Sequence, residues 1–292
     1  MKYGFLSRWF GILGWLLWQS GIADNLRIYS DRLLAETSSD WVAHFQAIYP
    51  DATVVPTPAN TLTAIQALLN RQTELIAIGR ALTPAETSAF QNRHGSLPLA
   101  LPIGLDALGV FVHSNDPRPA IGLAELEYLY AGTHFCQRGP PATPLTPKFL
   151  YSPAPAQAGY FHFQTKVLCG SSPRREVVLL EDDRAVIDQI ARQPGALGLA
   201  SRSLASTEVR IVPLALSSQG VVLPSTDRLL SGHYPLTYYL YLYLSQTNPL
   251  ALAFARTVLL PEGQAILSRR FAPLPEPIRQ KALERLQQPA RR

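Results

Sequence analysis

The two cysteines, Cys136 and Cys169, are the residues whose chemistry depends most on where the chain resides. In an oxidising compartment they can pair, and closing a loop of that length adds roughly 3 to 4 kcal/mol in the chain-entropy description. In a reducing one they remain two buried thiols, and the sequence leaves both readings open. They make a poor metal site, because the six histidines are scattered without ligand spacing. No nucleophile elbow and no P-loop occurs. No catalytic residue, cofactor or metal is therefore expected, and the chain reads as a non-enzyme. The acidic run Glu181-Asp182-Asp183 reads as an exposed turn.

The elements that would position any site alternate between strand and helix. Tyr234 to Ser245, YPLTYYLYLYLS, organises the rest. From Tyr239 its tyrosines and leucines alternate with period two, as in a β-strand, and both sets are bulky enough to need covering. Before it, Leu26–Tyr29 predicts a first strand, Leu33–Ile48 a helix, Ala52–Val55 a strand, Thr61–Asn70 a helix and Glu74–Ile78 a strand. Thr83-Pro84-Ala85-Glu86 has the form of a capping box with proline at the first helical position. Leu97–Gly104 and Ala107–His113 predict two apolar strands. A second run of strands and helices follows to His233, and Pro249–Arg269 and Pro277–Leu286 predict two closing helices. Such alternation implies α/β lobes with largely parallel sheets. The division it implies is lobe 1 from residues 24–104 plus 234–292, and lobe 2 from residues 105–233.

Composition sets the class. Of 292 residues, 47% are hydrophobic and only 16% charged, so the chain can bury a large core and disorder is excluded. The formal charge of +5 is concentrated in the first 23 residues and from Glu262 onward. The body between is close to neutral, with no basic groove interleaved with aromatics, so nucleic acid is not an expected partner. Lys2 and Arg8, the apolar run Trp9–Trp18 and the small residues Gly21-Ile22-Ala23 have the form of an export signal over residues 1–23. The apolar run is short for a bilayer span. Two α/β lobes joined by paired crossings, behind an export signal, imply a protein that closes on a solute by hinge motion.

Several local sequences sharpen that reading. Asp106 to Tyr130, with its Asn115-Asp116-Pro117 turn and LAELEYLYAGT helix, resembles the phosphate-binding subunit of ABC phosphate transporters. So do AVIDQIARQPGALGLAS (Ala185–Ser201), YPLTYYLYLYLS, ELIAIGRALTPAE (Glu74–Glu86) and, most specifically, LLPEGQAILSRRFAPLP (Leu259–Pro275). The resemblance covers nearly the whole mature chain. It implies a periplasmic-binding-protein type 2 fold: α/β, two lobes, each a mixed sheet flanked by helices, with two crossover strands. It also implies a monomer in an extracytoplasmic space, phosphate or a related oxyanion as ligand, and a membrane permease as partner.

The family grips phosphate at helix N-termini, where free backbone N–H groups and the helix dipole favour an anion. Carried over by position, the resemblance implies Ser30, Arg32, Thr61, Glu74, Gln157 and Gly159 as the ligand-binding residues. Asp31 beside them would repel an anion if it faced inward. Arg80 matches a position at the rim. The third loop departs from the family pattern, with no arginine between Lys148 and Arg174 and with Ala156-Gln157-Ala158-Gly159 in place of hydroxyl donors. Each lost charge-assisted bond to a buried dianion costs roughly 2 kcal/mol. The alternative is thus a family member that has lost phosphate binding and acts as a scaffold, sensor or interaction protein.

Overall fold

The computed structural model describes residues 25–133, 136, 147–216, 220–245 and 248–287. The expected export leader, residues 1–23, lies outside the described residues. The first elements are β1 (Asn25–Asp31), a 3-10 turn (Arg32–Leu34), α1 (Ala35–Ile48), β2 (Thr53–Ala59), α2 (Thr61–Leu69), β3 (Leu75–Ile78), α3 (Pro84–His94) and β4 (Leu99–His113). There follow β5 (Ile121–Gly122), α4 (Leu123–Ala131), β6 (Phe149–Pro153), α5 (Ala158–Lys166), β7 (Val177–Leu180), α6 (Asp183–Arg192), β8 (Ala196–Ser201) and β9 (Val209–Val212). The last are β10 (Leu214–Leu216), β11 (Gly220–Val222), α7 (Thr226–Leu230), β12 (Thr237–Leu244), α8 (Pro249–Leu259), α9 (Pro261–Ser268) and α10 (Glu276–Leu286).

Among the described residues, one sheet runs in the order β2-β1-β3-β12-β4-β8-β6-β7, with β9 also paired to β4. β1 is parallel to β2 and β3, and β6 is parallel to β7 and β8. β4 joins the two strand sets. Its residues Leu99–Ala107 pair antiparallel with β12, and Leu108–Val112 pair antiparallel with β8. The result is a two-lobed mixed α/β fold.

β12 has the alternation its sequence implies. Leu240, Leu242 and Leu244 are fully buried, while Tyr239 and Tyr241 are half-buried on the other face. The Leu82 N–H donates to the Tyr243 hydroxyl at 2.9 Å, tying the loop after β3 to this strand. Helix α1 presents Trp41 and Phe45 to the core, where Phe45 meets Phe254 of α8 edge-on at 5.4 Å. The Trp41 Nε1–H donates to the Gly263 carbonyl of α9 at 2.8 Å.

Two sequence expectations are corrected and a third is met. The strands expected at Leu97–Gly104 and Ala107–His113 are the single strand β4, because Asp106 stays in register opposite Tyr238 with its carboxylate buried. The helix expected over Pro249–Arg269 is two helices meeting at 66°. Pro261 has no N–H to continue the ladder, and it holds Leu260 extended. The Thr83 capping box does form, closed by Glu86.

Candidate functional site

The two strand sets meet along a seam where β1, β3, β6 and β7 all end. Open α/β sheets place ligands at the carboxyl ends of their strands, where helix starts converge. Among the described residues, the following contacts cross the seam. The Leu62 N–H of α2 donates to the Ala156 carbonyl before α5 at 3.3 Å. His162 Nε2 lies 2.7 Å from the Gly79 carbonyl after β3. Arg32 reaches Glu181 at 2.6 Å and Asp182 at 3.2 Å. Arg184 reaches Glu36 at 3.2 Å. A cavity of about 310 Å³ remains at the mouth, lined by Arg32, Glu36, Gln157, Asp182, Arg184 and Ser203 among others.

The residues implied by resemblance scatter over this seam. Ser30 is the next-to-last residue of β1, fully buried, its hydroxyl without a hydrogen-bond partner. Thr61 opens α2 and is buried, and its hydroxyl has no partner other than the Asp31 carboxylate it faces. Neither caps a helix. Those roles belong to Asp31, which accepts from the Leu34 N–H, and Asn60, which accepts from the Thr63 N–H at 2.8 Å. Arg32 is at the seam, but its guanidinium is committed to Glu181 and Asp182 and half exposed. Gln157 is buried at the start of α5 and its amide donates to the Glu181 carbonyl at 2.8 Å. Gly159 lets α5 approach Asp183, since a Cβ there would stand 3.0 Å from the Asp183 carboxylate. Glu74 is the clear correction. It precedes β3, at the opposite end of that strand from Gly79, and its carboxylate accepts from the Asn248 amide. Arg80 is buried and paired bidentately with Glu86 at 2.8 and 2.7 Å. Cys136 and Cys169 are joined as a disulfide with Cα atoms 6.3 Å apart, away from the seam.

What the seam buries is acid. Asp31 is 2% exposed, and its carboxylate accepts from the Gly79 N–H at 2.6 Å and the Leu34 N–H at 3.2 Å. Burial raises its pKa to about 6 against the pull of those two bonds. Asp183, expected in an exposed turn, is instead buried at the start of α6 and accepts from the Ser201 N–H at 2.8 Å. Burial pushes it up to about 7, and the charges of Asp106 and Asp31 add to the rise. Asp106 accepts from the Ser201 hydroxyl at 2.5 Å and the Tyr238 hydroxyl at 2.7 Å; burial raises its pKa too. Arg202 lies 3.9 Å from Asp106. Burial thus moves all three toward the protonated form, and as pH falls toward about 7 for Asp183 and about 6 for Asp31 each takes up a proton that a carboxyl can donate to a ligand oxygen.

Sequence reasoning missed Asp106, Asp183 and His162. Asp106 had a signal, a lone charge inside a long apolar run. Asp183 and His162 had none, because Asp183 is buried by tertiary contact with Ser201 and Gly159 and His162 by its contact with Gly79 of the other strand set.

A family profile described as the PBP superfamily domain matches residues 19–262 of the chain. The chain belongs to the PBP superfamily. Within that superfamily it is similar to the phosphate-binding protein PstS of Pseudomonas aeruginosa, at 24% identity over 285 residues, covering 91% of this chain and 88% of that protein. Its fold resembles a substrate-binding protein assigned to a phosphate ABC transporter of Clostridium perfringens and solved with phosphate bound. The TM-score is 0.73 at 16% identity, over 86% of this chain and 100% of that one. It also resembles an ABC-type phosphate transport receptor from Vibrio cholerae, with a TM-score of 0.67 at 12% identity, over 86% and 100%. The PBP fold accounts for the two strand sets, the long shared strand β4 and the seam between them.

Proposed function

We propose that this chain is the solute-binding component of an ABC importer, holding an oxyanion of the phosphate class between two lobes and delivering it to a membrane permease. The lobes are residues 24–104 plus 234–292 and residues 105–233, and residues 1–23 direct export to an extracytoplasmic space. The relatives named for phosphate support the ligand class. The Cys136–Cys169 disulfide accords with an oxidising compartment.

The observation that carries the reading is the buried Thr61 hydroxyl, at the first residue of α2 and on the seam, with only a carboxylate before it. A ligand oxygen there would take a donor from Thr61 and from the N–H groups of Leu34 and Gly79. Gln157 lines the cavity at the mouth, Ser30 and Gly159 would join the ligand as the seam opens, and Arg32 reaches it by leaving Glu181. Glu74 takes no part. The buried acids make protonated forms of the oxyanion the better ligands, since each shares its proton with a carboxylate rather than repelling it.

Isothermal titration of the mature chain with phosphate, arsenate and sulfate tests this. The expected result is binding of one phosphate, tighter at about pH 6 than at about pH 8, because the acids are protonated at the lower value. Absence of binding by every oxyanion across that range would turn the chain into a scaffold or sensor that keeps the fold.

A further inference from the structure

We propose that the Asp31 carboxylate is a resident anion of the cleft: it occupies the backbone donors at which an oxyanion would bind, and so sets which ligands enter and when. The inference rests on the oxyanion reading above and adds to it the residue that decides specificity.

Three observations carry it. The first is the geometry of Asp31. One carboxylate oxygen takes the Gly79 N–H at 2.6 Å and the other takes the Leu34 N–H at 3.2 Å, so both oxygens sit where a ligand's oxygens would sit. The second is Thr61, a buried hydroxyl on another element that faces the same carboxylate and has no other partner. Donors from the β1 turn, the β3 loop and α2 thus converge on one side chain. The third is how closely the chain fits around it. A Cβ on Gly79 would stand 3.2 Å from Asp31 Oδ2 and 3.0 Å from the Ala158 Cβ of the opposite strand set. At Gly79 the two strand sets and Asp31 thus pack so closely that a side chain there would displace one of them.

The charges around Asp31 make it a removable occupant. The groups facing it are Asp106 on β4 and Asp183 on α6, both acidic. Arg202 lies against Asp106 rather than against Asp31. His162 is held neutral by burial, and Arg32 is engaged with Glu181 and Asp182. Among the described residues Asp31 has two carboxyl neighbours and no ion-paired cation, which favours its protonated form, and burial has already moved it in that direction. Once protonated, it gives up its claim on the Gly79 and Leu34 donors and can itself donate to a ligand oxygen. An oxyanion then enters with uptake of a proton. While ionised, Asp31 competes with the ligand as an intramolecular anion at high effective concentration.

The test compares the full mature chain with Asp31→Asn and Asp31→Ala, using inorganic phosphate as the probe. Asn keeps the cap acceptor and nearly the same shape, so Asp31→Asn guards against a misfolded Asp31→Ala. Titrations at about pH 8.5 are expected to give at least about tenfold tighter binding to Asp31→Asn than to the native chain, and at about pH 5 the difference is expected to fall below about threefold. The Gly79 amide resonance should shift on adding phosphate. Tighter binding by the variant while the native chain shows none at any pH would uphold the resident anion and overturn the importer reading. Equal or weaker binding by a folded Asp31→Asn at about pH 8.5, with native binding intact, would overturn the resident anion alone. No binding by any of the three proteins would overturn both.

Discussion

His162 of α5 and Gly79 after β3 are joined by a hydrogen bond of 2.7 Å that crosses from one strand set to the other. A carbonyl only accepts, so Nε2 carries the proton and the ring donates. The ring also stacks on Tyr238 of β12 at 4.0 Å. Burial lowers its pKa to about 4, and the ring is neutral throughout the physiological range.

The pH dependence of this contact has a definite sign. In the unfolded chain the histidine titrates near its ordinary 6.5, so between about pH 6.5 and about pH 4 the unfolded state binds more protons. The contribution is whole above that window and is lost as pH falls through it. Urea denaturation across the window should show a shallower acid-side loss for His162→Gln than for the native chain. Identical slopes would mean that the ring is not buried neutral.

Asp183 runs the other way. Its folded pKa of about 7 lies above the ordinary 3.8, so between those values the folded state holds more protons. Its burial destabilises the fold progressively as pH rises through that range. Asp183→Asn keeps an acceptor for the Ser201 N–H and should raise stability at about pH 8 by a few kcal/mol, with no gain at about pH 4. A loss of stability at the higher pH would show that the carboxylate is neutralised by a cation. In the native chain the opposed windows of Asp183 and His162 should nearly cancel around pH 5 to 6.

Arg32 offers a separate test of what closes the mouth of the seam. Its partners Glu181 and Asp182 are 68% and 20% exposed, and its own side chain is 46% exposed. An ion pair that wet contributes less than about 1 kcal/mol to stability. Arg32→Ala should leave the unfolding midpoint almost unchanged. If Arg32 swings onto the ligand, phosphate affinity should fall about tenfold or more, as expected for one charge-assisted bond. An unchanged affinity would confine Arg32 to latching the mouth.

The disulfide should matter for stability and not for the ligand. Cys136 and Cys169 are 33 residues apart in sequence, and removing the link should cost roughly 3 to 4 kcal/mol in the chain-entropy description. Cys136→Ser paired with Cys169→Ser should therefore unfold at lower urea, with the phosphate titration unaltered. A large change in affinity would place the disulfide in the closing mechanism.

Much of the fold was legible in the residues. Period-two alternation placed β12, the Thr83-Pro84-Ala85-Glu86 segment placed the start of α3, and the alternation of strands and helices gave the two-lobed class. These signals are local, arising from side-chain direction, caps and proline geometry within a few residues. Where local signals conflict, the reading failed. Asp106 looked like a break in β4, and the Pro249–Arg269 pattern hid the break at Pro261.

The site was legible only in outline. The resemblance implied Ser30, Thr61, Gln157 and Gly159 as site residues; local sequence features gave only the strand ends and helix starts on which they sit. It could not tell that Glu74 sits at the wrong end of β3, since the direction of a strand relative to its neighbours is fixed by pairing. Nor could it tell that Asp31 faces inward, that Asp183 is buried, or that His162 bonds Gly79. Each of those depends on groups 48 to 83 positions apart or on the closing of one strand set over the other. Charge and polarity are read from the residue alone, but the cost of burying them, and so their protonation and role, is set by what tertiary packing places around them.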